Sequence, residues 1–201
     1  MPTRLLLVRH GQIAANIQGV WHGSTDSPLT AIGHQQAGCV AAHLARMRPS
    51  VAAIYTSPLQ RARDTAAPIA RACARSAIPH PGLAEYGIGM FEGESFVDLS
   101  DRHRFFERAF ADRTWAPPGG ESVDAVTSRV LAAWRTITAA HPGATVVAVT
   151  HGAAIATALA TLLHDDPGAW QHYHVRNTSW TEVHLEPTPQ LVAFNQIDHL
   201  N

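Results

Sequence analysis

Hydrophobic positions along this chain follow two rhythms. Short unbroken apolar runs at 5–8, 51–56 and 145–150 are too brief and too continuous for helices and predict buried strands. Between them the spacing is helical. Over 30–47 the apolar groups are Ala37, Val40, Ala41 and Leu44, with Thr30 as the expected N-cap. Over 57–74, Leu59, Ala62, Ala66, Ile69 and Cys73 repeat on one face. Ser57 is the expected cap there, Pro58 the first helical residue, and Pro68 a point of bending or interruption. Val123, Val126, Val130, Ala133, Trp134 and Ile137 mark an amphipathic helix, and an Ala-rich helix is expected over 152–163. Two late runs, 178–186 and 190–197, look like strands joined at Pro187-Thr188-Pro189.

The stretch 85–118 breaks both rhythms. It mixes Gly, Arg, Asp and aromatics before ending in Pro-Pro-Gly-Gly, and is expected to be an irregular or partly helical excursion. Strands alternating with helices predict a three-layer α/β/α sandwich whose sheet is mostly parallel with an antiparallel edge strand. The expected organisation is one domain, 1–201, with 86–118 as a cap-like excursion over the active site. A chain of 201 residues with 46% hydrophobic content is long enough to bury a substantial core. Its formal charge of −1 removes the usual reason to expect nucleic-acid or membrane-surface binding. All of its positive side chains are arginine. Cys39 and Cys73 sit in Ala-rich helical patterns and are expected as small buried hydrophobes rather than a disulfide or a metal pair. With no signal-like start and no membrane-length apolar run, a cytoplasmic location is expected.

The strands at 5–8 and 145–150 end alike, in Arg9-His10-Gly11 and Thr150-His151-Gly152. In open parallel sheets ligands bind beyond the carboxyl ends of the strands, which is where both histidines fall. Arg61 lies in the first turn of the next helix, and helical side chains lean toward the N-terminus. Two arginines and two histidines would then meet in one crevice that already favours anions, an arrangement suited to a phosphoryl group. Taken alone, Arg61 could equally be a solvated helix residue paired with Asp64, and His151 a hydrogen-bonded strand-end histidine.

The segments LLLVRHGQ, YTSPLQRARDTA, LAEYGIGMFEG, PGGES and VVAVTHG, in this order, resemble the histidine phosphatase superfamily, also called phosphoglycerate-mutase-like. The closing RNTSWTEVHL and FNQIDHL are similar to the tail of its compact phosphatase members. The resemblance implies His10 as the nucleophile that becomes phosphohistidine, with Arg9, Arg61 and His151 holding the phosphoryl oxygens. It implies Asn16 and Gly152 as further phosphate-binding positions, and Glu85 as the acid that protonates the leaving group. It also implies His22, Gly23 and Tyr86 as substrate-binding positions, and no metal. A covalent step divides one hard displacement into two, and an acid for the departing alkoxide contributes about 10²–10⁴-fold.

The chain departs from the family's usual RHGET at Gln12 and Ile13, losing a charge and a hydroxyl that can order the phosphate loop. Gly11 and Gly152 would let the backbone approach a phosphate or would be ordinary turn glycines. The expected activity is a metal-independent phosphatase acting on a small phosphorylated metabolite. The alternative is a cofactor-dependent phosphoglycerate mutase, for which alone 2,3-bisphosphoglycerate would be required. Arg102, Arg104, Arg108 and Arg113 could then hold a second anionic group, or form a solvated face. Ile88 stands where a phosphoserine-selective branch carries His. Tyr86, Ile88, Met90, Phe91, Phe105 and Phe106 would make the leaving-group pocket apolar, or would pack the excursion onto the sheet. The remote alternatives are a metal-binding protein, suggested by 13 histidines and the spacing of His172 and His174, or a non-catalytic phospho-ligand-binding protein. A monomer or a homodimer, paired through a late edge strand, is expected.

Overall fold

A computed structural model describes residues 2–47 and 49–201. Six strands form one sheet: β1 (Arg4–Arg9), β2 (Val51–Thr56), β3 (Ala77–Pro79), β4 (Thr145–Thr150), β5 (Trp180–His184) and β6 (Gln190–Gln196), in the order β3-β2-β4-β1-β5-β6. β3, β2, β4 and β1 run parallel, while β5 and β6 run antiparallel. The expected antiparallel edge is therefore two strands wide, because the late pair is a hairpin added beside β1.

The unbroken apolar strands are explained by a sheet covered on both faces. Leu5 and Leu7 of β1, with Val146 and Ala148 of β4, pack on one side, whereas Leu6, Val8, Val147 and Val149 pack on the other. All six residues of β4 are buried. On the second face lie α2 (Ala31–Ala45) and α3 (Gln60–Ala72), contributing Val40, Leu44, Ala66 and Ile69. The first face carries α6 (Val123–Ala139), α7 (Gly152–His164) and the excursion. A short α1 (Ala14–Gln18) follows β1 and packs Ala15 with Ile13, Leu29 and Ala37 in a small separate cluster. Within 86–118, α4 (Phe96–Asp101) and α5 (Phe105–Ala111) form, and Phe105 and Ala109 bury themselves against the main core.

Several local expectations need correction. Thr30 caps α2 as expected, accepting from Gly33 N at 3.0 Å. Ser57, however, is not the cap of α3, which opens at Gln60 after Leu59. The Gln60 N–H is taken instead by the Asp26 carboxylate, at 2.7 Å, from the 22–27 loop. Pro68 lies inside α3 without interrupting it. Cys39 is exposed and Cys73 only half-buried. The buried face of α2 runs through Ala37, Val40, Ala41 and Leu44, which turns position 39 outward.

Candidate active site

Parallel pairing of β1 with β4 places Arg9 opposite Thr150, and the His10 N–H donates to the Thr150 carbonyl at 3.0 Å. The two histidines leaving these strands are consequently neighbours, with ring centroids 5.2 Å apart. Arg61, on the first turn of α3, is fully buried. Its Nε donates to His151 Nδ1 at 3.2 Å, its Nη1 to the Thr25 carbonyl at 2.8 Å, and its Nη2 to the carbonyls of His22 and Gly23 at 2.9 and 2.8 Å. The solvated, Asp64-paired alternative is excluded by that burial. Arg61 fastens the 22–25 loop to the histidine pair.

These hydrogen bonds assign the imidazole protons. Burial, with the Arg9 and Arg61 guanidinium groups nearby, holds His10 well below the ordinary histidine pKa of 6.5. Its Nδ1 lies 2.7 Å from the Gly11 carbonyl, which only accepts, so Nδ1 carries the proton and Nε2 keeps its lone pair. His151 is likewise held well below 6.5, by burial and by Arg61. Since Arg61 Nε donates to its Nδ1, the proton sits on Nε2 and is donated to Ser57 Oγ at 2.7 Å. Ser57 is thus the acceptor that fixes the His151 tautomer.

The loop after His10 stays ordered without the missing hydroxyl. The Gly11 N–H donates to Thr65 Oγ1 at 2.9 Å, the Gln12 N–H to Gln36 Oε1 at 2.9 Å, and the Ile13 N–H to Asn16 Oδ1 at 3.1 Å. Asn177 Nδ2 donates to the His10 carbonyl and to Asn16 Oδ1, each at 3.0 Å. With Oδ1 doubly engaged, the Asn16 amide protons remain for a ligand in the pocket it lines. Asn177 escaped sequence reasoning; its only signal was membership of the closing RNTSW segment. The two loop glycines differ. A Cβ at Gly11 would meet the Gly33 carbonyl oxygen at 2.6 Å, a backbone clash, whereas one at Gly152 would lie in ordinary contact with Arg9 Nε at 3.4 Å. Arg9 Nη1 donates to the Val175 carbonyl at 2.6 Å, and its buried Nε has no protein partner.

Glu85 arrives from the opposite wall. Its Oε1 accepts from Ala154 N at 2.8 Å and its Oε2 from Ala153 N at 3.2 Å, so it satisfies free N–H groups at the start of α7 in place of a local cap. The backbone carrying it is gripped by Arg129 of α6. That guanidinium donates to the carbonyls of Ala84 and Glu85, both at 2.8 Å, and forks onto Glu121 at 2.6 and 2.7 Å. Glu121 also accepts from Gly87 N at 3.1 Å, which gives the PGGES segment a structural role at the site. Glu92 does the same for the neighbouring loop, accepting from the N–H groups of Gly23, Ser24, Thr25 and Ile88. These bonds pull its carboxyl below the ordinary carboxylate pKa despite the opposing effect of burial.

The pocket so formed is walled by Arg9, His10, Asn16, His22, Glu85 and Gly152, with Trp21, Phe96, Trp170 and His174 completing its outer part. His22 faces it while its Nδ1 pairs with Ser27 Oγ at 2.7 Å. Gly23 and Tyr86 are buried behind it and contribute no wall. Tyr86, Ile88, Phe91 and Phe105 pack in the core, and Met90 is exposed, so the aromatic wall comes from other residues. Each excursion arginine has its own partner: Arg102 with Asp98, Arg104 with Glu107, Arg108 over the Trp115 ring, and Arg113 with Asp124. Among the described residues no three His, Cys, Asp or Glu side chains gather as a metal site, and no helix is long and apolar enough to cross a membrane.

Known proteins resemble this chain along nearly its whole length. A family model described as histidine phosphatase superfamily (branch 1) matches residues 5–197. A Mycobacterium tuberculosis protein named as bifunctional is 36% identical over 202 residues, covering 99% of this chain and 55% of that protein. The chain thus spans about half the length of these first relatives. A Yersinia enterocolitica protein carrying the name probable phosphoglycerate mutase is 31% identical, covering 94% of this chain and 88% of the relative. A solved structure of phosphoserine phosphatase from Entamoeba histolytica, in complex with 3-phosphoglyceric acid, superposes with a TM-score of 0.87 at 30% identity. That match covers 99% of this chain and 100% of the other. The chain belongs to the histidine phosphatase superfamily, branch 1.

Proposed function

We propose that this chain is a metal-independent phosphatase that hydrolyses small phosphomonoesters through phospho-His10. The observation that carries the reading is the setting of His10: its Nδ1 lies 2.7 Å from the Gly11 carbonyl, which leaves Nε2 as the nucleophile in a pocket that Arg9 lines, and burial favours the neutral ring. Nε2 attacks phosphorus as the ester P–O bond breaks, and Glu85 gives its proton to the departing alkoxide. Arg9 and the Asn16 amide supply donors for the phosphoryl oxygens, and the Arg61 guanidinium adds its charge from behind the two neutral histidines. Water then attacks the phosphohistidine, Glu85 takes its proton, and the N–P bond breaks to restore neutral His10 and release inorganic phosphate. Both steps balance without a metal or further cofactor.

Water, rather than a second phosphoglycerate, is the acceptor in this reading. The name of the Yersinia relative favours the mutase alternative. Against it, Arg9 is the only arginine among the described pocket walls, since the four excursion arginines are engaged elsewhere. Phosphorus NMR in chelator, with 3-phosphoglycerate and a trace of 2,3-bisphosphoglycerate, separates the two. Accumulation of inorganic phosphate alone is expected, and 2-phosphoglycerate with little free phosphate would establish the mutase. Rapid quench with a labelled ester should trap an acid-labile phosphoprotein that His10→Ala abolishes. Substantial turnover by His10→Ala would overturn the mechanism.

A further inference from the structure

The catalytic pocket does not end at its phosphate-binding wall. Phe96, Trp170 and His174 also line an adjoining cleft of about 660 Å³, whose remaining aromatic surface comes from Phe106 and Phe110. The Trp170 ring lies nearly parallel to Phe106 (5.7 Å, 20°) and Phe110 (5.7 Å, 14°), and Phe96 leans on Trp21 at 5.4 Å. Phe96 is 45% exposed, and the one ring contact it makes among the described residues is with Trp21.

The charge pattern is equally one-sided. The positive groups cluster at the His10 end. The only acidic side chain lining the cleft is Glu107, which is paired with Arg104, and no arginine lines it among the described residues. At the junction, His174 is pushed toward its neutral form by burial and by Arg9, so the passage adds no cation. A leaving group bearing a carboxylate or second phosphate finds no counter-charge here, whereas a flat apolar one finds ring faces of the kind that stack.

We propose that this cleft is the leaving-group subsite and selects phosphomonoesters whose alcohol carries an aromatic or heteroaromatic ring. The inference rests on the phosphatase reading, and its occupant is argued from continuity: the cleft opens from the catalytic pocket through the shared walls Phe96, Trp170 and His174, beside a phosphoryl group at His10.

The test compares 2-(1-naphthyl)ethyl phosphate, ethyl phosphate and 3-phosphoglycerate. In the first two the leaving groups are primary alcohols, so intrinsic reactivity is similar and the ring is the main variable. Wild-type kcat/KM should favour the naphthyl ester by about 10–100-fold, the range expected for stacking plus burial of one ring system. Phe96→Ala and, separately, Trp170→Leu should bring that ratio below about 5, a readout that a common loss of folded or active enzyme leaves unchanged. Phe96, on the rim, guards against a variant that fails to fold. Equal kcat/KM for the two alkyl esters, or a preference for 3-phosphoglycerate, would refute the subsite while leaving a phosphatase. Binding of the matching phosphonates, followed by tryptophan fluorescence, decides the case independently of turnover. If the naphthyl phosphonate binds no tighter than ethylphosphonate, the cleft is not the subsite. If it binds at least 10-fold tighter but no ester is hydrolysed, the subsite stands and the phosphatase reading fails.

Discussion

Replacing Arg129 with methionine tests whether Glu85 is held in place from behind. The change keeps much of the side chain's length but removes every donor. Lost are the paired bonds to Glu121 at 2.6 and 2.7 Å, those to the Ala84 and Glu85 carbonyls at 2.8 Å, and a longer one to Gly82 at 3.3 Å. A fully buried ion pair broken on one side costs about 3–5 kcal/mol. Here the side chains remain 25% and 30% exposed, so water can solvate Glu121, which also keeps its bond from Gly87 N. A loss of about 2 kcal/mol is therefore expected. For a chain of this size that lowers Tm by about 4–8 °C, measurable by calorimetry. The kinetic effect should be larger and selective. With the 84–87 backbone released, the proposed acid Glu85 is displaced, and misplacement of a catalytic group by about 1 Å costs about 100-fold. Turnover of ethyl phosphate, whose alkoxide needs a proton, should fall by about 10–100-fold in kcat with KM changed less than about 3-fold. Turnover of 4-nitrophenyl phosphate, whose leaving group needs little help, should fall by less than about 3-fold. Equal losses on both substrates would mean that Arg129 supports the fold alone, and the positioning argument would be wrong.

Stability should depend on pH in a defined window. His10 and His151 are held below 6.5 in the folded protein, so the unfolded chain binds more protons once pH falls below that value. Their stabilisation is complete above about pH 6.5 and declines below it by about 1.4 kcal/mol per pH unit for each histidine, until the folded-state values are reached. Urea midpoints at pH 7 and 5.5 should reveal it, and a flat profile would contradict the burial of neutral imidazoles. Gly11→Ala forces its new methyl to 2.6 Å from the Gly33 carbonyl oxygen and should destabilise by about 1–3 kcal/mol in chemical denaturation. Gly152→Ala meets Arg9 at an ordinary 3.4 Å, so it should fold normally and instead weaken vanadate or phosphate binding in a competition assay. Asn177→Ala removes two bonds to the phosphate loop and should cut kcat/KM by about 10-fold; an unchanged value would show that Asn16 is oriented without it.

The strands and helices that carry the chemistry were legible because each is long enough to show its period. β1, β2 and β4 read as unbroken apolar runs since both of their faces are covered, and α2 announced its cap at Thr30. β3 was not legible: three residues, Ala77–Pro79, become a strand only by pairing with β2. The convergence of Arg9, His10, Arg61 and His151 followed from strand-end logic. The supporting shell did not, because it acts through backbone atoms distant in sequence. Arg129 binds carbonyls 44 and 45 residues away, and Glu92 binds N–H groups up to 69 residues away, contacts that leave no period or motif. The aromatic wall was misplaced for a related reason. Phe91 and Phe105 look no different in sequence from Phe106 and Phe110, and only the angle at which the excursion folds back decides which rings face the cleft.

The fully buried β4, hydrogen-bonded to β1 on one side and β2 on the other, has a consequence for how such a site can change over time. His151 ends the least accessible strand of the sheet, so its amide neighbours should exchange with solvent only through global opening. Phe96 and Phe110 sit on helices of six and seven residues, whose amides should exchange through small local openings. The proposed reaction centre and the proposed leaving-group surface therefore sit on elements of different local stability. On that reading, substitutions in the excursion retune substrate choice while the strands that carry His10 and His151 keep their full stability.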